Sequence, residues 1–245
     1  MSTTAVLRSE WIKIRSVRSV AGSLMAVFLA TLAVTVLAFA TVGQAEADDP
    51  GTDLVFGAFY ALNFGQIAAI SFGATALSSE YLNGALRVSL AAVPRRNLFY
   101  AAKMTLVGVL ALVVGLATSF TAFLVGQMFM GEYAIGLGEP GALRAAFGGG
   151  MYLALMALFA AGLTALLRSA VAVLSLLIPF ILIVSFVVGD VASGAAKYLP
   201  DRAGQLVLHQ HPEGSPGPWA GLAVTAAWAA AALFAGWWAI RRRDA

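Results

Sequence analysis

The chain has 245 residues, of which 60% are hydrophobic and only 11% charged, less than half the roughly 25% charge of an ordinary soluble domain. That balance argues against a water-soluble fold. The formal charge of +3 gives no ground for a nucleic-acid partner, since its carriers sit between long apolar runs and not in one patch. With no cysteine in the chain, disulfides and thiolate metal sites are excluded.

Taken in chain order, the first feature is a basic segment, residues 1–19. Leu7, Trp11 and Ile14 follow i, i+4, i+7 spacing, with Arg8, Lys13 and Arg15 mostly off that stripe. A short helix lying on a membrane surface has this pattern, and so does a basic flank that only fixes topology. Six apolar stretches without a charged residue follow, at about 20–45, 54–79, 104–131, 145–167, 169–189 and 214–240. Each is long enough to cross a bilayer, which takes about 20 residues of helix because lipid offers the backbone no other hydrogen-bond partner. The first ends in small residues like those of a signal cleavage site, but it is far longer than a signal core of about 7–15 residues, so it is expected to stay as an anchor. In the second, Gly57, Ala61, Gly65, Ala69 and Gly73 recur every four residues. Small side chains on one face let another helix approach closely, in this chain or across a dimer.

Residues 78–103 form the longest stretch between the apolar runs on the basic side. They read as a helix that Pro94 terminates, with Leu82, Leu86, Ser89, Leu90 and Val93 on one buried face at three- and four-residue steps. So apolar a face needs cover, either from the chain's own helices or from another subunit. Further on, Arg168 and Ser169 divide the fourth run from the fifth where a tight turn is required, and Pro179 is placed to kink the fifth. Residues 190–218 form a mixed-charge loop holding His209 and His211, which read as solvent-exposed and lack the carboxylate or cysteine partners of a metal site.

Allocating charges to alternating sides of six spans puts Arg8, Lys13, Arg15, Arg18, Arg87, Arg95, Arg96, Lys103, Arg168, Arg241, Arg242 and Arg243 on one side. Arg144, Lys197 and Arg202 fall on the other, a split of 12 against 3. The first side is therefore expected to be cytoplasmic, with both termini on it. Most acidic residues lean the other way, and Trp11, Trp219, Trp237 and Trp238 fall near the expected interfaces.

The succession Glu80, Gly84, Arg87, Pro94, Arg95 and Lys103 resembles the permease subunits of ABC-2 type transporters. Those carry, between their second and third spans, a glutamate followed by a glycine, a short helical piece, a Pro-Arg pair and a lysine entering the third span. The six-run plan, the basic amphipathic start and the outer phrase Lys197-Tyr-Leu-Pro-Asp-Arg-Ala-Gly-Gln205 extend the likeness over the chain. The resemblance implies an all-α integral membrane protein of six transmembrane helices, forming a single permease domain over 1–245 in a bacterial plasma membrane. It also implies an N-terminal elbow helix and a cytoplasmic coupling helix inserted into a cleft of a separate ATPase subunit. ATP and magnesium would sit on that subunit, and a second permease copy, identical or not, would complete the transporter. On this reading Glu80, Tyr81, Gly84, Leu86 and Arg87 form the docking surface, while Pro94, Arg95 and Arg96 hold the loop at the inner face. A bland alternative stays open: Glu80 as an acid favoured by a helix N-terminus, and the arginines as topology signals only.

The chain contains no phosphate-binding glycine loop, no zinc-protease helix and no nucleophile elbow, so no catalysis or nucleotide binding of its own is expected. A carrier driven by an ion gradient usually needs ionisable groups at mid-membrane. The six runs hold none, and Asn63, Gln66 and Gln127 read as helix-packing groups. A membrane scaffold or immunity protein of the same shape remains the alternative. The likeness suggests export of a hydrophobic or amphipathic cargo, which the residues themselves do not name.

Overall fold

The computed structural model describes residues 3–49, 51–185, 194–211 and 215–242. Every regular element among them is helical. In chain order these are α1 (Thr3–Ser16), α2 (Arg18–Ala38), α3 (Leu54–Phe59), α4 (Leu62–Ser78), α5 (Ala85–Ala92), α6 (Arg96–Gln127), α7 (Ala142–Leu167), α8 (Ala170–Pro179), α9 (Pro200–Gln205) and α10 (Pro218–Arg242). A π-helical turn, Phe39–Gly43, carries α2 on to Ala47.

Among the described residues, five helical stretches are long and apolar enough to cross a membrane: Arg18–Ala47, Leu54–Ser78, Arg96–Gln127, Ala142–Leu167 and Pro218–Arg242. The fifth expected run is apolar and helical over Ala170–Ile183, and its end lies outside the described residues. Within it α8 stops at Pro179 and a π-helical turn, Phe180–Ser185, follows. Proline lacks the amide of the regular ladder and its ring crowds the carbonyl four residues back, so the backbone widens there. The division before α8 falls at the expected place. Arg168 ends α7 in the left-handed region at φ 57°, and the Ser169 hydroxyl accepts from the Ala172 amide at 3.2 Å to cap α8.

Helix α7 is the axis of the bundle and packs against α4, α6 and α10. Its glycines explain how closely. A Cβ on Gly150 would stand 2.7 Å from the Leu116 backbone of α6, and Gly115 of α6 faces the Gly150 carbonyl at the same distance. A Cβ on Gly162 would stand 2.5 Å from the Ala232 backbone of α10, and one on Gly236 of α10 would stand 2.7 Å from the Gly162 carbonyl oxygen. In lipid, where apolar burial gives no advantage between helices, such backbone approach supplies the dispersion contacts that hold spans together.

The ladder of small residues is divided. The chain turns at Tyr60 and Ala61, between α3 and α4. Four residues advance a helix by about 40° more than a full turn, so the ladder winds around the helix and does not stay on one face. A Cβ on Gly65 would strike Thr31 of α2, one on Gly73 would strike the Ala157 backbone of α7, and one on Gly57 would meet nothing within 4 Å. Ala61 and Ala69 are buried. The small face thus serves two neighbours inside this chain.

Charge separates along the bundle. One end gathers α1, residues 79–95, the Arg168 turn and the end of α10, where Arg96 donates to the Ile240 carbonyl at 3.0 Å and Arg241 and Arg242 lie over Trp237 and Trp238. The opposite end joins Asp48 to Tyr133, and Asp53 to His209 and the Gln210 amide. There the expectation of solvent-exposed histidines is corrected for His209. Its ring stacks on Phe56 at 4.1 Å and its Nδ1 lies 3.2 Å from Asp53 Oδ2, which leaves it half-buried, while His211 is exposed. Within the outer loop the short helix α9 and the turn after it fold back on the bundle: Pro200, Asp201, Ala203, Gly204, Val207 and Leu208 are buried against α7 and α10.

Candidate functional site

The densest group of charges lies at the basic end. Lys103 stands two turns into α6, where a charged side chain must find partners inside the protein. Its Nζ lies 2.7 Å from Glu80 Oε1, just past the end of α4, and 2.9 Å from Glu10 Oε2 on α1. Lys13, one turn beyond Glu10, donates to Glu10 Oε1 at 2.6 Å, to Glu80 at 3.2 Å and to the Ser89 hydroxyl of α5 at 2.8 Å. Ser89 in turn donates to Glu80 Oε2 at 2.8 Å. Lys103, Glu10 and Glu80 are each at most 3% exposed. Two carboxylates thus meet two ammoniums, and the balance of charge is what makes their shared burial tolerable.

Four segments are fastened by this cluster: α1, the turn after α4, α5 and the start of α6. A small apolar core reinforces it, with Val6 of α1, Leu86 and Val93 of the α5 segment, and Phe99 and Ala102 of α6 packed together. Burial pushes the Glu80 carboxyl up, but Lys103, its hydrogen bond, Lys13 and Ser89 outweigh that and hold it below the usual carboxylate range. A carboxylate whose folded pKa lies below its unfolded value of about 4.3 contributes stability that is fully present above that pH and lost as pH falls through the lower folded value. Unfolding of the detergent-solubilised protein followed against pH should show this acid loss, and Glu80→Gln should flatten the profile in that window.

The structure redistributes the expected docking residues. Glu80 is turned into the cluster and presents no carboxylate to the outside. Tyr81 is half-buried, its hydroxyl donating to the Ala165 carbonyl of α7 at 3.4 Å and its ring facing Arg168. Leu86 is buried. Gly84, Arg87, Pro94 and Arg95 are exposed, and Arg96 is half-buried on the end of α10. One expectation is corrected: Leu82 does not share the buried face of Leu86 and Val93, but is 62% exposed. Gly84 takes a left-handed conformation at φ 72° between a single 3-10 turn, Leu82–Gly84, and α5, so helical phase does not carry through it. Val88, which the sequence reading passed over, is 72% exposed beside Arg87. Two residues from both Leu86 and Leu90, about 200° of rotation, it stands opposite their face.

Helix α1 divides its expected apolar stripe. Its inward residues are Val6, Glu10 and Ile14, while Trp11, expected on the apolar stripe with Leu7 and Ile14, is 43% exposed. The demand for Glu10 and Lys13 at the ion cluster sets this rotation.

Neither a curated protein nor a solved structure matches the chain. The family described as ABC-2 family transporter protein matches residues 6–189, about three quarters of the sequence. The match includes all four members of the ion cluster and the 79–95 segment, and the outer phrase 197–205 lies beyond it. With five helices fit to cross a bilayer and a match over most of its length, this multi-pass membrane protein belongs to the ABC-2 transporter family.

Proposed function

We propose that the chain is the membrane-spanning permease subunit of an ATP-driven exporter, powered by a separate cytoplasmic ATPase that docks on residues 82–95. The observation that carries the reading is the two-sidedness of this segment. Its inner face is fixed by Leu86, Val93 and the Ser89 hydroxyl, and its outer face presents Leu82, Arg87, Val88 and Arg95. An exposed apolar pair beside arginines, on a helix that cannot move without moving α1, α4 and α6, suits a surface that receives force from a partner.

The finer topology belongs to the same proposal. Six spans place the basic end in the cytoplasm with both termini, in agreement with the bias of Lys and Arg. Two permease copies pair in a bacterial plasma membrane, and ATP and magnesium reside on the partner. A hollow of about 750 Å³ between α6, α7 and α10 is lined by Met104, Leu112, Phe147, Met151, Trp219 and other uncharged residues, a wall compatible with an apolar or amphipathic cargo.

The test is affinity purification of the full chain from native membranes, with mass spectrometry of what accompanies it. A nucleotide-hydrolysing subunit is expected, and the pair Arg87→Glu and Val88→Asp should lower its recovery about tenfold or more, the effect of losing contacts near an interface centre. Absence of any such subunit, or equal recovery with the double variant, would support a non-transporting scaffold.

A further inference from the structure

The outward face of α1 carries an assortment that the rest of the fold does not use. With Glu10 drawn into the ion cluster, the exposed positions along this face are Arg8, Trp11, Ile12 and Arg15, joined by Arg18 at the start of α2. No acidic side chain lies among them, and Arg8, Arg15 and Arg18 form no ion pair among the described residues. Ile12 is 57% exposed, and Trp11, Ile12, Arg15 and Ser16 line a shallow hollow of about 390 Å³. Only Val17 separates the end of α1 from the first span, so this face lies at the membrane surface, where α2 enters lipid.

We propose that the outer face of α1 binds anionic phospholipid headgroups of the inner leaflet, with Arg8, Arg15 and Arg18 meeting the phosphates and Trp11 and Ile12 seated at the acyl boundary. Charge complementarity selects the occupant. An all-cationic face draws negative lipid, an exposed indole beside an aliphatic side chain favours the interfacial zone, and an arginine fork matches phosphate oxygens. A soluble anion would have no use for Trp11 and Ile12. The opposite face of the same helix supplies Glu10 and Lys13 to the cluster that holds Ser89. Lipid charge is therefore read one helix diameter from the proposed docking segment. The inference rests on the basic end being cytoplasmic, but not on the ATPase partner.

The full chain is reconstituted in phosphatidylcholine vesicles containing a minor fraction of brominated lipid, either phosphatidylglycerol or phosphatidylcholine. Quenching of Trp11 is read as the difference from Trp11→Phe. Brominated phosphatidylglycerol should quench Trp11 far more than brominated phosphatidylcholine. Arg8→Gln with Arg15→Gln should erase up to roughly thirtyfold of that preference, about fivefold for each arginine, while thermal unfolding stays unchanged. Equal quenching by the two lipids in the unaltered chain would overturn the proposal while leaving α1 at the surface. Absence of Trp11 quenching by either lipid would instead remove the surface placement itself. A preference abolished by excess inorganic phosphate would mark a free-anion site and also overturn the proposal.

Discussion

Replacing Lys103 by methionine is expected to destabilise the protein by about 3–5 kcal/mol, the cost of leaving a buried carboxylate without its counter-charge. Methionine roughly matches the lysine stem in length, so the volume at this buried position is nearly kept and the charge effect is isolated. Glu10 and Glu80 would then face Lys13 alone, which is partly open to water and already shared with Ser89. Because α1 and α5 are both held through these carboxylates, the loss should appear first as protease sensitivity in residues 79–95 and only then as global unfolding. The double variant Lys103→Met with Glu80→Gln restores charge balance and should recover a large part of the loss. A single variant as stable as the unaltered protein in detergent would mean that the cluster does not fasten the segment.

The second large effect is at Gly73. A Cβ there falls on the Ala157 carbonyl, with the Ala157 carbonyl carbon at 2.8 Å, and neither neighbour is a side chain that can swing aside. Valine forces α4 away from the axial helix α7. Overpacking costs about 1–3 kcal/mol, and more where only backbone is available to yield, so Gly73→Val should sharply reduce the yield of monodisperse protein. Gly57 provides the internal control. It belongs to the same ladder, but its Cβ would meet nothing within 4 Å, so Gly57→Ala should be neutral or gain up to about 1 kcal/mol from helix propensity. Equal behaviour of the two variants, read by size-exclusion chromatography and thermal unfolding, would show that sequence spacing and not contact geometry sets the sensitivity.

The contrast between these glycines shows what a linear reading can and cannot supply. Apolar runs, the Arg168 turn, the effect of Pro179 and the separation of charge are local or one-dimensional properties, and length and composition suffice to find them. The end of the fifth run falls outside the described residues, among which five helices are long and apolar enough to cross a membrane; the sixth span is part of the proposed function. Direction around a helix was harder. On α1 the apolar stripe through Leu7, Trp11 and Ile14, which suits a helix on a membrane surface, is divided: Ile14 is buried with Val6 and Glu10, Leu7 is half-buried and Trp11 is exposed. At a membrane surface an aromatic side chain has a favourable place outside, and a glutamate can be the group that must go inside. Leu82 was misplaced because a left-handed Gly84 resets the phase between two helical pieces. The ion cluster had only a faint trace, a lysine two turns inside an apolar helix. Its partners lie 23 and 93 positions away, beyond the reach of any spacing rule.

In the proposed function, an ATPase pushes on the spans at the outward face of residues 82–95. A photo-crosslinking residue at Val88, in native membranes, addresses that claim directly, with Met128 at the opposite end, 80% exposed, as the comparison position. Capture of a nucleotide-hydrolysing subunit from position 88, with a yield that changes when ATP is supplied, and none from position 128, is the expected result. Capture of no such subunit from position 88, or the same products from both positions, would contradict it.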